Sequence, residues 1–199
     1  VVGQLEIFDL AEEYAFPPAA KKKLEYCGYI RREVGLKGRQ AVRDELGLSD
    51  QHKLVFVTPG GGKDGFRLIT NYLMGIDRYK NDSVYSLVLC GPEMLEEHVA
   101  TIKALAHGKS RCLIHSFTDD LMSYMAAADV VVSMFGYNTA CEILTLAKPA
   151  VVVPRIHPVR EQWIRAKCLA ELGLVKIIHP ELLDAESLHQ AIDALLFQG

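Results

Sequence analysis

The sequence predicts an α/β domain with a doubly wound parallel sheet, and three observations carry that expectation. Six short runs rich in Val, Ile and Leu recur from Leu54 onward, each too short for a helix. Segments with apolar residues at helical spacing lie between them, so the order is strand, helix, strand, helix. A glycine-rich turn follows the first run, where such folds bind ligands.

The expected strands are Leu54–Thr58, Tyr85–Cys90, Cys112–His115, Val130–Ser133, Ala150–Pro154 and Val175–Ile178. Long apolar runs without strict alternation suit strands buried on both faces. The expected helices are Gly65–Tyr79, Pro92–Ala106, Asp119–Ala127, Tyr137–Ala147, Arg160–Leu172 and Asp184–Phe197. Residues 51–199 thus read as one Rossmann-like domain. Residues 1–50 read as an edge or interdomain segment packed on it, with one strand at Tyr26–Ile30 and a short helix over Gly38–Leu48. The run Lys21-Lys22-Lys23 reads as a solvated face.

The 199 residues suffice for one sizeable core. Lys and Arg number 22 against 25 Asp and Glu, for a formal net charge of −3, which gives no footprint for nucleic acid. No apolar run approaches the ~20 residues that span a bilayer. The five cysteines are scattered without C-x-x-C spacing, so they read as reduced core thiols, not as a zinc site. These features suit a cytoplasmic protein. The first residue is Val, so a piece of a longer protein is expected.

Ligands bind outside the carboxyl ends of such strands. The first loop there is Pro59-Gly60-Gly61-Gly62-Lys63-Asp64-Gly65. Its glycines let backbone approach an anion, and the next helix offers unpaired N–H donors. It matches G-x-G-x-x-G by spacing, yet the next strand ends in Cys90-Gly91-Pro92 where a dinucleotide site wants an acid. It is not a P-loop, because Gly-Lys-Ser/Thr is missing. A plain strand-to-helix turn is the alternative.

The second loop, Met134-Phe135-Gly136-Tyr137-Asn138-Thr139, leads into a helix carrying Glu142. Asn138 and Thr139 sit at a helix start, where amides meet phosphate. Glu142 lies about one turn on and could accept two ribose hydroxyls, or could simply be a surface Glu favoured by the helix dipole. The third loop, Arg155 to Gln162, clusters polar groups suited either to sugar hydroxyls or to capping. His157 has no evident carboxylate partner in it.

Together these loops resemble the C-terminal domain of the MurG-like glycosyltransferases, which build lipid II from UDP-GlcNAc. The resemblance runs in order from Leu54 to His179. It includes Ser116-Phe117-Thr118-Asp119-Asp120, Ala128-Asp129-Val130-Val131-Val132-Ser133, Gly136, Glu142, Lys148-Pro149-Ala150 and Glu161-Gln162. Upstream, Tyr14-Ala15-Phe16-Pro17-Pro18 and Gly28-Tyr29-Ile30-Arg31 look like the interdomain region of predicted glycosyltransferases of this superfamily.

The resemblance implies the C-terminal, donor-binding half of a GT-B fold, in which two Rossmann-like domains face across a cleft. It implies transfer of a hexosyl group from a nucleoside-diphosphate sugar, such as a UDP-sugar, to an acceptor hydroxyl. Phe117 and Thr118 would lie against the base, and Glu142 would hold the ribose. Gly61, Gly62, Gly136, Asn138 and Thr139 would bind the diphosphate without a metal. Glu161 and Gln162 would contact the sugar. The catalytic base and acceptor site would belong to an N-terminal domain or a partner subunit, so this chain alone is expected to be inactive. Peripheral membrane association of the whole protein is a further expectation.

This sequence departs from the family pattern at Met134-Phe135, where Arg-Ser or Arg-Ala is frequent, and at Glu161, where the family pairs two glutamines. UDP-GlcNAc is therefore not assumed. Two other readings are a nucleotide-sugar 2-epimerase of the same fold and a non-catalytic nucleotide-binding subunit. Phe117, Met134, Phe135 and Tyr137 are expected as an exposed apolar patch on the cleft.

Overall fold

The computed structural model describes residues 1–79 and 83–197. Six parallel strands form one sheet in the order β3-β2-β1-β4-β5-β6. They are β1 Lys53–Thr58, β2 Val84–Leu89, β3 Cys112–His115, β4 Val130–Ser133, β5 Ala150–Val152 and β6 Lys176–Ile177. The helices that alternate with them are α4 Phe66–Gly75, α5 Glu96–Ala106, α6 Leu121–Ala127, α7 Tyr137–Thr145, α8 Glu161–Glu171 and α9 Ala185–Phe197. Before β1 come α1 Leu10–Glu13, α2 Pro18–Lys21 and α3 Arg39–Glu45.

Side chains alternate across a strand, and the core divides accordingly. Val55 and Val57 of β1 face a layer with Leu68, Ile69 and Tyr72 of α4, Ile102 of α5 and Ile192 of α9. Leu54 and Phe56 face the other layer, with Val42 of α3, Met125 of α6, Ile143 of α7 and Leu169 of α8. Both faces are covered, which is why the strands read as unbroken apolar runs.

The expected elements differ mainly at their ends. Tyr26–Ile30 is not a strand: it contributes one isolated bridge, Gly3 with Gly28. Gly28 there has φ +72°, outside the extended region, while Ile30 and Arg32 are drawn by hydrogen bonds onto α7. The end of Gly65–Tyr79 tightens into a 3₁₀ turn at Ile76–Tyr79. The last strand shrinks to two residues at the sheet edge. The short helix α1 went unforeseen; Asp9 caps it by accepting from the Ala11 and Glu12 amides at 2.9 and 3.1 Å.

The connections run outward from β1 through β2 to β3, then return to β4 beside β1 and run the other way. The loops after β1 and β4 therefore diverge to opposite faces, and open a crevice between them. The glycine-rich turn comes close to the start of α7 there: a Cβ on Gly60 would lie 3.3 Å from the Thr139 Oγ1.

Candidate functional site

A cleft of about 480 Å³ occupies that crevice. Loops after β1, β2, β3, β4 and β5 all contribute to it. Gly61, Gly62, Phe117, Thr118, Gly136, Asn138, Thr139 and Glu142 line it, as does Gln162.

The glycine-rich turn needs its glycines. Gly62 has φ +102°, and a Cβ on it would lie 2.5 Å from the Cys90 carbonyl oxygen. No side chain caps α4 at Gly65 or α7 at Gly136, so the first amides of each helix are left without a side-chain acceptor. The N-terminus of α7 opens on the crevice, with the positive end of its dipole toward it, while α4 begins just beyond the lining residues Gly60 to Asp64.

Glu142 is buried, with 9% exposure, and is not a surface residue of the helix. Burial pushes its carboxyl above the ordinary value, and the Arg32 guanidinium pulls it back in part. Arg32 reaches it on a strap of chain laid over α7 and α6. Tyr29 stacks on Tyr137 with ring centroids 5.9 Å apart, and the Ile30 amide donates to the Tyr137 hydroxyl at 3.4 Å. The Arg32 amide donates to Thr145 Oγ1 at 3.1 Å, and the Leu36 amide to Asp120 Oδ1 at 3.1 Å.

Of the four aromatic and sulfur side chains expected as an exposed patch, only Phe117 is well exposed, at 61%. Met134 and Tyr137 are half-buried, and Phe135 is fully buried at 0%. The backbone explains the difference. Phe135 adopts φ +58°, and its amide donates to Ser133 Oγ at 2.8 Å, a tight reversal that sends the ring into the α3–α6–α7–α8 layer.

At the far end of the cleft the two expected sugar contacts part company. Gln162 lines it: its Oε1 accepts from the Arg155 amide at 3.1 Å, leaving the Nε2 donors free on the Gly136 side. Glu161 is not among the lining residues; its carboxylate is bonded to the Arg165 guanidinium. Lys63, Asp64, Glu93 and Arg155 line the cleft without having been singled out as binders. Arg155 donates through Nη1 to Asp64 Oδ2 at 3.0 Å, and its buried Nε has no hydrogen-bond partner among the described residues. All four lie on strand-end loops, which is the signal that could have found them; which way each side chain points is decided by tertiary packing. Among the described residues, no three His, Cys, Asp or Glu side chains gather as metal ligands.

Comparison with known proteins agrees with this geometry. Residues 54–199 match the glycosyltransferase family 28 C-terminal domain. The chain belongs to this family. It is 27% identical over 184 residues to the UDP-N-acetylglucosamine–N-acetylmuramyl-(pentapeptide) pyrophosphoryl-undecaprenol N-acetylglucosamine transferase of Clostridioides difficile, covering 91% of this chain and 44% of that enzyme. It is 31% identical to an uncharacterized glycosyltransferase of Methanopyrus kandleri, covering 94% of this chain and 55% of the relative. The chain thus spans about half the length of these relatives. Among solved structures, MurG of Acinetobacter baumannii superposes with a TM-score of 0.63 at 24% identity, over 80% of this chain and 44% of that one. WaaG, a glycosyltransferase involved in lipopolysaccharide biosynthesis, superposes at 0.64 and 18%, over 94% and 50%. The family 28 chain therefore has the Rossmann-like fold of a MurG-like, GT-B C-terminal domain.

Proposed function

We propose that this family 28 domain binds the nucleoside-diphosphate sugar of a glycosyltransferase that moves a hexosyl group to an acceptor hydroxyl. The observation that carries the reading is the cleft at the β1/β4 crevice, where the glycine-rich turn, the uncapped N-terminus of α7 and one buried carboxylate line a single cavity. Phe117 and Thr118 take the base, and Glu142 accepts the ribose hydroxyls. Gly61, Gly62, Gly136, Asn138 and Thr139 present backbone to the diphosphate. A UDP-sugar is the donor class that the relatives support.

Chemically, the departing diphosphate gathers negative charge as the glycosidic bond breaks. Donors fixed at the helix starts meet that charge without reorganising, which lowers the barrier. Lys63 adds positive charge to the cleft lining, while the Arg155 guanidinium is paired with Asp64. Gln162 reads the sugar through its free Nε2. A base that activates the acceptor hydroxyl, together with the acceptor site, is assigned to a second domain or partner chain. The 199-residue chain alone then binds donor but does not turn it over.

A thermal-shift series tests this reading. Ligands that bind only the native state raise the melting temperature. UDP, GDP, ADP, dTDP and their nucleosides are compared on the purified chain. One diphosphate should raise the transition well above its nucleoside. No shift with any of them, or glycosyl transfer by the isolated chain, would overturn the assignment.

A further inference from the structure

We propose that Arg165 is a positioning residue for the second binding loop, holding it from beneath, and that Glu161 serves by fixing Arg165. The inference rests on the reading of that loop as a diphosphate site, and it extends the reading to two residues outside the cleft.

Arg165 is a buried cation, with its side chain 3% exposed. It lies on α8, yet its interactions reach the β4–α7 turn. Nη1 donates to the Phe135 carbonyl at 3.3 Å. The guanidinium also sits over the Tyr137 ring, 5.5 Å from its centroid. Nη2 is bonded to Glu161, one helical turn back on α8. The side chain therefore ties down the residues on both sides of Gly136.

The tie matters because of what Phe135 is doing. A non-glycine residue at φ +58° resists its own backbone, and persists only when its surroundings determine it. Its ring is buried on one side and its carbonyl is held by Arg165. With that acceptor engaged on the buried side, the succeeding amides of Gly136 to Thr139 are the groups left to meet an anion in the cleft. A free carbonyl at the same place would repel a diphosphate. A buried guanidinium is costly unless paired, and Glu161 supplies the pair. This explains why an acid at position 161 turns away from the cleft that its neighbour Gln162 enters.

The test uses the whole chain and three variants, Arg165→Met, Arg165→Lys and Glu161→Gln, with two readouts. The first is hydrogen exchange, which needs no ligand. In Arg165→Met the two hydrogen-bonded amides of the turn, Phe135 to Ser133 Oγ and Ala140 to the Gly136 carbonyl, should lose protection by about tenfold or more, since an orphaned buried carbonyl costs at least that factor. The β1 amides should be unchanged. Arg165→Lys keeps a donor for the carbonyl and should recover part of the loss; Glu161→Gln should show a smaller loss in the same amides. Unchanged protection at Phe135 and Ala140 overturns the inference. If Arg165→Met does not fold, Glu161→Gln decides alone. The second readout is the affinity ratio of UDP to uridine. The ratio should collapse in Arg165→Met while uridine affinity stays put, an effect that a general loss of packing would not give. Retention of the wild-type ratio overturns the inference. If the wild type binds neither probe, the reading of the cleft as a UDP site fails, and exchange still decides the role of Arg165.

Discussion

The Glu142 carboxylate lies 3.9 Å from the Arg32 guanidinium, its one ion-pair partner in the described residues, and is otherwise withdrawn from water. A carboxylate so placed can accept two hydroxyl hydrogen bonds at a fixed point in the cleft. Glu142→Ala should then weaken nucleotide binding by roughly ten- to a hundredfold, the equivalent of ~1.5–3 kcal/mol for hydrogen bonds to a charged group. A 2′-deoxy nucleotide should bind the wild type less tightly, and the variant should barely distinguish the two. Titration calorimetry with both ligands on both proteins closes the cycle. Equal discrimination by wild type and variant means that Glu142 does not read the ribose.

The same burial sets a pH dependence. The folded state raises the Glu142 pKa above its ordinary 4.5, so the ionised form costs stability above that range. Glu142→Gln should be more stable than wild type at pH 7. Its advantage should shrink as pH falls through the raised value and vanish below about 4.5. Nucleotide affinity of the wild type should fall over the same interval as the carboxylate protonates. Urea denaturation and binding measured from pH 4 to 8 check both halves. An unaltered stability difference across that interval contradicts the argument.

At the glycine-rich turn, two costs can be separated. Gly62→Ala meets both an unfavourable φ of +102° and the Cys90 carbonyl oxygen. Gly108→Ala meets an unfavourable φ of +78° in open space. The left-handed backbone alone costs roughly 1–2 kcal/mol. Gly62→Ala should exceed Gly108→Ala, and it alone should weaken diphosphate binding. Equal denaturation midpoints for the two variants would show that the turn yields to the added methyl.

For the sugar end, Gln162→Met removes the Nε2 donors without adding a charge beside Gly136, although the Arg155 amide also loses its acceptor. Affinity for UDP should change little. Affinity for UDP-glucose, used as a probe, should fall by about tenfold, the scale of one or two lost hydrogen bonds. A parallel loss for UDP and UDP-glucose would place Gln162 at the diphosphate instead.

Much of the fold is legible in the sequence because its strands are covered on both faces: Leu54 to Val57 and Val130 to Val132 are apolar and buried without a break. The strand-end loops follow from that order, and with them the glycines, Thr139 and Glu142. What the sequence conceals is side-chain direction within a loop. Phe135 reads as an exposed loop aromatic until its positive φ is known, and neighbouring Glu161 and Gln162 read as equals. The first turn of α8 sends one to Arg165 and the other to the cleft. The opening segment misleads for another reason. Its strand-like Tyr26–Ile30 is held at one end by Asp9, Val1 and Gly3 and at the other by Tyr137, 107 positions beyond Ile30, and local pattern carries no trace of these contacts.

The anchoring of Phe135 divides the cleft into parts of unequal freedom to vary. The turn that carries it is fastened into the interior by a ring with no exposed surface. Any change there must be answered by Met125, Ile143 and their neighbours in the same layer. The stretch from Ile156 to Arg160, by contrast, contains no fully buried side chain. Substitutions there encounter few packed neighbours. A lineage of such proteins can therefore vary the loop between β5 and α8 by single steps, while the turn between β4 and α7 changes only together with the core.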